Sequence, residues 1–258
     1  MATSTSKTRT PGKAPWLSTT VSDNVFDLIA FDADDTLWYT ETHYVLTQER
    51  LKEILAPYDP GSDVEERLFK TEMRNLIIFG YGAKGFLLSM IETAIELTDG
   101  RVLGRDIQQI IDAVRLMLAQ EIRLLDHIAD VVPQLAARWP LMVITKGDQL
   151  EQESKIARSG LADYFDLVEI VSHKDQAVYR DLFARHEIDP HRLLMVGNSM
   201  RSDILPILAL GGQAVHIPHE LTWAHEQVDV QDPPAGYYKL DHAGQLPLLL
   251  DKLLAKSA

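Results

Sequence analysis

Hydrophobic positions along this chain follow two rhythms. Short runs of branched and aromatic residues occur at 26–31, 140–144, 167–171, 193–196 and 214–217, and runs of this length and composition predict buried β-strands. From Ile128 onward they alternate with helical periods over residues 128–139, 150–159, 177–186 and 204–210, the second closed by Gly160, a usual helix stop. Strands alternating with helices predict parallel βαβ units, a sheet covered on both faces. The expected fold class is α/β, a doubly wound parallel sheet of Rossmann-like form.

Between the first and second strands the rhythm is helical throughout. Ser62-Asp63-Val64-Glu65 is a capping-box sequence, which predicts a helix through Arg67, Leu68, Met73 and Leu76 that stops near Gly80. Gly80-Tyr81-Gly82 reads as a turn. Phe86, Leu87, Met90, Ile91, Ala94 and Ile95 then recur at helical spacing up to Asp99-Gly100. Ile107, Ile110, Ile111, Val114, Leu118 and Ile122 mark a further helix. The predicted organisation is an α-helical insert over residues 41–125, an α/β unit from residues 25–40 and 126–258, and a tail over residues 1–24. That tail is rich in Ser and Thr, holds Lys7, Arg9 and Lys13, and has no acid before Asp23. It lacks the apolar stretch of a secretory signal and reads as disordered rather than as an organelle transit peptide.

Polar residues with chemical potential fall at the strand ends. Asp32 and Asp34 follow the first strand, Thr145, Lys146 and Gly147 the second, Lys174 the third, and Asn198 and Asp203 the fourth. In a parallel sheet these C-terminal ends converge on one edge, where ligands bind. Two neighbouring carboxylates repel unless a cation or a shared proton neutralises them. Carboxylate and backbone oxygens, without sulfur or imidazole, suit Mg²⁺. A carboxylate can also attack phosphorus to give an aspartyl-phosphate. Taken alone, Asp32-Ala33-Asp34-Asp35-Thr36 reads equally well as an acidic turn capping the next element.

Composition narrows the classes further. With 46% hydrophobic and 24% charged residues, the chain has the make-up of a soluble globular protein. A formal net charge of −13 argues against binding the phosphate backbone of nucleic acid, although a local site on an acidic protein can still receive a small phosphorylated substrate. The absence of cysteine removes disulfides, thiol nucleophiles and thiolate metal sites and fits a reducing, cytoplasmic compartment. No apolar run approaches the ~20 residues of a membrane-spanning helix. The nine histidines show no metal-ligand spacing, and His216, His219 and His225 read as surface or supporting residues. Asp35 reads as a structural residue of its turn and Trp38 as packing.

Taken in order, these strand-end residues resemble the haloacid dehalogenase-like hydrolase superfamily, and within it phosphatase-type members with a helical cap inserted after the first motif. Asp32, Asp34 and Thr36 match the Asp-x-Asp-x-Thr motif, Thr145 the second, Lys174 the third, and Gly197-Asn198-Ser199 with Asp203 the fourth; the likeness spans residues 25–254. The resemblance implies Asp32 as nucleophile, Asp34 as general acid and base, and Lys174 as the charge that offsets nucleophile and phosphate. It implies that Thr145 and the N–H groups of Lys146 and Gly147 hold phosphoryl oxygens. Mg²⁺ would bind the Asp32 carboxylate, the Asp34 carbonyl and Asp203, with Asn198 offering an uncharged oxygen where the family often has Asp. Tyr81 and Lys84, in the cap turn, are expected to face the substrate, Lys84 toward a second anionic group.

The expected activity is Mg²⁺-dependent hydrolysis of a small phosphorylated metabolite, without nucleic-acid or membrane partners and with the oligomeric state open. Three alternatives stand beside it. A 2-haloacid dehalogenase would use Asp32 on carbon without metal or leaving-group acid, and Asp34 argues against it. Phosphomutase-type transfer to a second hydroxyl uses the same motifs. A non-catalytic binding protein would be expected to have lost Asp32, Asp34 or Lys174, and all three are present.

Overall fold

The computed structural model describes residues 25–58, 63–228, 232 and 234–257; the residue 1–24 tail and Ser62 lie outside them. Six strands form one parallel sheet: β1 (Leu28–Phe31), β2 (Leu141–Lys146), β3 (Leu167–Val171), β4 (Leu193–Gly197), β5 (Gln213–His216) and β6 (Tyr237–Lys239), in the order β3-β2-β1-β4-β5-β6. Strand order reverses between β1 and β4, so the crevice outside their carboxyl ends is the place such a sheet offers a ligand. Five strands lie where the apolar runs predict them. The sixth, Tyr237–Lys239, is a three-residue edge strand with no apolar run of its own.

Alternation along the strands explains the two layers. Ile29 and Phe31 of β1, Leu141 and Val143 of β2 and Leu194 and Val196 of β4 point to one face, because successive strand side chains alternate. There they pack on α5 (Ile128–Ala136) and on α9 (Leu246–Ser257), whose buried contacts are Leu246, Leu250 and Leu253. Leu28, Ala30, Met142, Ile144, Leu193 and Met195 point the other way, onto α7 (Gln176–Arg185) and α8 (Leu205–Ala209). A π-helical turn, Met200–Ile204, precedes α8 within the stretch where the sequence predicts one helix. Between β2 and β3 lies α6 (Gln149–Arg158).

Residues 41–119, between β1 and α5, build four helices: α1 (Glu41–Leu55), α2 (Val64–Phe79), α3 (Ala83–Leu97) and α4 (Gly104–Ala119). Their apolar stripes close on a core of their own, including Leu51, Leu55, Leu68, Phe86, Met90, Ile110 and Val114. The N-cap of α2 is Asp63, one residue beyond the predicted Ser62, and its carboxylate accepts the Glu66 N–H at 3.0 Å. The two connections to the sheet run side by side: the Tyr39 N–H donates to Arg123 O at 3.1 Å and the Leu125 N–H to Leu37 O at 3.0 Å. The helical unit thus sits on a paired two-strap junction directly beyond β1.

Leu194 is fully buried at the centre of the sheet, in register with Ile29. Leu194→Ala is expected to lower unfolding free energy by about 2–5 kcal/mol through the cavity it leaves. Urea denaturation measures this, and an unchanged midpoint would contradict the packing described.

Candidate active site

The chain leaving β1 delivers three acids in four residues, and each has a different surrounding. Asp32, 7% exposed, extends the sheet pairing through its N–H to Val196 O at 2.9 Å. Its Oδ1 accepts Lys174 Nζ at 2.5 Å and its Oδ2 accepts Thr36 Oγ1 at 3.0 Å. Lys174 comes from the end of β3 and also reaches Asp203 Oδ1 at 2.8 Å. The second oxygen of Asp203 accepts the Ser199 N–H at 2.9 Å. Gly197 makes that approach possible: a Cβ there would fall 2.3 Å from Asp203 Oδ2. Burial and the Asp203 charge together push the Asp32 carboxyl up to about 7, against the opposing pull of Lys174. Desolvation disfavours the Lys174 ammonium, but its two carboxylate partners outweigh this and hold its pKa above the usual lysine value.

Asp34 is built differently. Its Oδ1 accepts Thr40 Oγ1 at 2.7 Å and Trp38 Nε1 at 2.9 Å, and its Oδ2 accepts Gln152 Nε2 at 2.7 Å. Lys155 Nζ lies 3.1 and 3.3 Å from the two oxygens. Burial raises its pKa, but the Lys155 charge and these hydrogen bonds win and hold it below the ordinary carboxylate value. Asp35, in a left-handed conformation, accepts the N–H groups of Thr40 and Glu41 at 2.8 and 3.0 Å. It ties down the start of α1, the local structural role expected for it. Trp38 packs as expected and in addition donates to Asp34.

Of the residues singled out from the sequence, Asp32, Asp34, Thr145, Lys146, Lys174, Asn198, Asp203 and Tyr81 line one cavity. Asn198 Oδ1 lies 3.3 Å from Thr36 Oγ1. Lys146 Nζ is hydrogen-bonded to Ser202 Oγ at 2.9 Å, is ion-paired with Glu226, and sits 4.4 Å from the centre of the Tyr81 ring. Gly147, at the end of β2, stands against Gln152 outside the cavity lining. Lys84 is not brought to the cavity: its ammonium pairs with Asp148 at 2.9 Å and its side chain is 68% exposed. The reason is the docking of its turn. The Ala83 N–H donates to Glu151 Oε2 at 2.8 Å, and Glu151 Oε1 accepts Lys155 Nζ at 2.9 Å. The start of α3 is thereby fixed to α6.

Lys155, Gln152, Glu151 and Glu226 were not singled out from the sequence. Glu151 and Lys155 stand four residues apart on a polar helix, the usual signature of a solvated surface pair. Glu226 is held low, to about 2: burial opposes its ionisation, but Lys146 and the hydroxyls of Ser199 and Ser202 prevail. His216 Nε2 lies 3.0 Å from Asn198 O, and His225 Nε2 lies 3.3 Å from Tyr81 Oη. His219 Nδ1 lies 3.8 Å from Asp35 Oδ1. All three thus stand beside residues of the cavity wall. Among the described residues, no three His, Cys, Asp or Glu side chains converge as a cation cage, and no helix is long and apolar enough to cross a membrane.

A parallel sheet with an acidic switch-point crevice and a buried Asp-Lys-Asp bridge defines a class, and comparison places the chain within it. The profile of a hydrolase family, haloacid dehalogenase-like hydrolase, matches residues 26–211. A haloacid dehalogenase-like family hydrolase from Xanthomonas campestris is 37% identical, with 90% of this chain and 94% of that chain covered and a TM-score of 0.81. The chain belongs to the haloacid dehalogenase-like hydrolases. A 2-haloacid dehalogenase from Pseudomonas syringae pv. Tomato (21% identical, 88% and 99% covered, TM-score 0.59) and a phosphatase of the same superfamily from Thermococcus onnurineus (17%, 87% and 98%, 0.58) share the fold. No curated protein gives a significant match.

Gly82 precedes α3 at φ +111°, where a Cβ would stand 3.0 Å from both Asp148 N and Glu151 Oε2. Gly82→Ala is therefore expected to cost more than about 1 kcal/mol and to loosen α3 from α6. Urea unfolding and limited proteolysis of the 80–84 turn check this, and parent-like stability and protection would contradict it.

Proposed function

We propose that this hydrolase cleaves small phosphomonoesters with the help of Mg²⁺, carrying the phosphoryl group on Asp32. The observation that carries the reading is Asp34, a second carboxylate two residues after the nucleophile, in the same cavity and held by four donors. Displacing an alkoxide from phosphorus needs a proton donor, whereas displacing a halide from carbon does not; Asp34 therefore favours the phosphatase over the dehalogenase.

In this reading Asp32 attacks phosphorus in line, the bond from phosphorus to the ester oxygen breaks, and Asp34 delivers the proton to the leaving oxygen. Asp34 rests as a carboxylate; a phosphoryl dianion beside it raises its proton affinity, and as the substrate binds it takes up from solvent the proton that it delivers. Asp34 then takes a proton from water, which attacks phosphorus and frees Asp32 and phosphate. Thr145 and the N–H group of Lys146 hold phosphoryl oxygens, and Lys174 offsets their charge; Gly147, which lies outside the cavity lining, is left out of this set. The helical unit over the cavity serves as the cap that excludes water during turnover.

The donor chemistry fits Mg²⁺. Asp32 and Asp203 carry two charges and share one ammonium, so a further cation relieves the repulsion that raises Asp32. The Asp32 and Asp203 carboxylates, the Asp34 carbonyl and Asn198 Oδ1 would hold it as an all-oxygen set. When bound, the ion supplies positive charge to the phosphoryl oxygens.

Asp32→Asn is expected to abolish turnover. Asp34→Asn should slow alkyl phosphates about 10²–10⁴-fold and retain a slow reaction with activated aryl phosphates, whose leaving groups need little help to depart. Parent-like turnover by Asp32→Asn would overturn the covalent route. Asn198→Asp should lower the Mg²⁺ concentration needed for half-activation, because it adds a charged oxygen. An unchanged requirement would remove residue 198 from the ion's shell, and full activity after exhaustive chelation would return the dehalogenase reading.

A further inference from the structure

The cavity does not end at the catalytic acids. It continues into the helical unit, where α1 and α2 present Glu41, Tyr44, Glu72 and Asn75. No Lys or Arg of the helical unit lines it, and the two lysines that do are committed, Lys174 to Asp32 and Asp203 and Lys146 to Glu226. The Glu41 and Glu72 carboxyls make no ion pair or hydrogen bond with any described residue. An unpaired carboxyl in such a setting is a standing demand for a donor.

Asn75 makes the same demand independently. It is 5% exposed, and its Nδ2 is spent on Ser89 Oγ at 3.2 Å and Glu92 Oε2 at 2.6 Å. No described residue donates to its Oδ1, on a residue of the cavity wall. This wall therefore offers acceptors: two carboxyls and an amide oxygen. Tyr44 and Phe86, with ring centres 4.9 Å apart, line the same space, and aromatic faces attract organic cations.

We propose that the leaving group accepted here is an alcohol bearing a protonated amine, received by Glu72 and Asn75 with Glu41 beside them. The inference rests on the phosphatase reading and specifies its substrate class. Burial, reinforced by the neighbouring acids, pushes Glu41 up to about 7 and Glu72 up to about 8, as expected for carboxyls lacking a counter-charge. An ammonium would supply it. A second phosphate or carboxylate on the substrate would find no cation on this wall, since Lys84, expected to greet such a group, is engaged with Asp148.

The test pairs ω-aminoalkyl phosphates of increasing length with the n-alkyl phosphates of equal length, assayed with Mg²⁺ on the full chain. At one or more lengths the amine should exceed its alkyl partner in kcat/KM by about tenfold or more, the worth of a charge-assisted hydrogen bond. Glu72→Gln should collapse that ratio and Glu41→Gln should reduce it, with folding confirmed by circular dichroism. A ratio near unity at every length, or one unmoved by Glu72→Gln, overturns the inference. Calorimetric binding of the same pairs separates the two claims. Preferential, Glu72-dependent binding of the amine without turnover would sink the phosphatase reading, and with it the leaving-group role, and keep the amine site. Good turnover of alkyl phosphates without amine preference would do the reverse.

Discussion

Lys174 stands between Asp32 and Asp203 with almost no contact with water: the exposures of the three side chains are 1%, 10% and 1%. Taking ions of this size out of water costs several kcal/mol each, and two carboxylates facing one another without the ammonium would add repulsion. The bridge is tolerable because every charged oxygen has a partner: Lys174 twice, Thr36, and the Ser199 N–H. It also ties together the ends of β1, β3 and β4 at the point where strand order reverses. The glycine at 197 belongs to the same constraint, since Asp203 occupies the space of its absent side chain. With both carboxylates ionised, one net negative charge remains on the three groups, the charge that the proposed divalent cation would offset.

A second tier links this buried bridge to the helices above it. Asp34 is bound by α6 through Gln152 and Lys155; Lys155 is bound to Glu151, and Glu151 receives the first N–H of α3. The helix that orients the proposed acid and base is thus the one on which the helical unit is seated. Orientation of the proton donor and covering of the cavity therefore draw on the same contacts. Beyond that seam the cavity changes character, from paired charges around the reacting atoms to unpaired acceptors in the helical unit.

The sheet and the acids at its edge were legible because both depend on local pattern. Branched apolar runs bury wherever they lie, and a parallel sheet carries the residue after each run to one edge. Asp32, Asp34, Thr145, Lys146, Lys174, Asn198 and Asp203 meet for that reason. What stayed hidden depends on contacts between distant segments. Tyr237–Lys239 becomes a strand because β5 offers an open edge, not because Tyr-Tyr-Lys has a strand's alternation. Lys155 and Glu151 look like an exposed helix pair until Asp34 and Ala83 are set against them. Lys84 looks like a free cation beside a glycine turn until Asp148 is placed 2.9 Å away. Glu226 lies in a segment with no periodicity and gains its role from Lys146, eighty residues earlier, and from the hydroxyls of Ser199 and Ser202.

The central claim is that Asp32 bonds to phosphorus. It is tested most directly by acid-quenching the protein during turnover of a phosphomonoester with Mg²⁺ and examining the Asp32 peptide by mass spectrometry. The account predicts a peptide carrying a phosphoryl group on Asp32, enriched in Asp34→Asn with an activated aryl phosphate, where water attack loses its base. An Asp32 peptide that stays unmodified throughout turnover would contradict it.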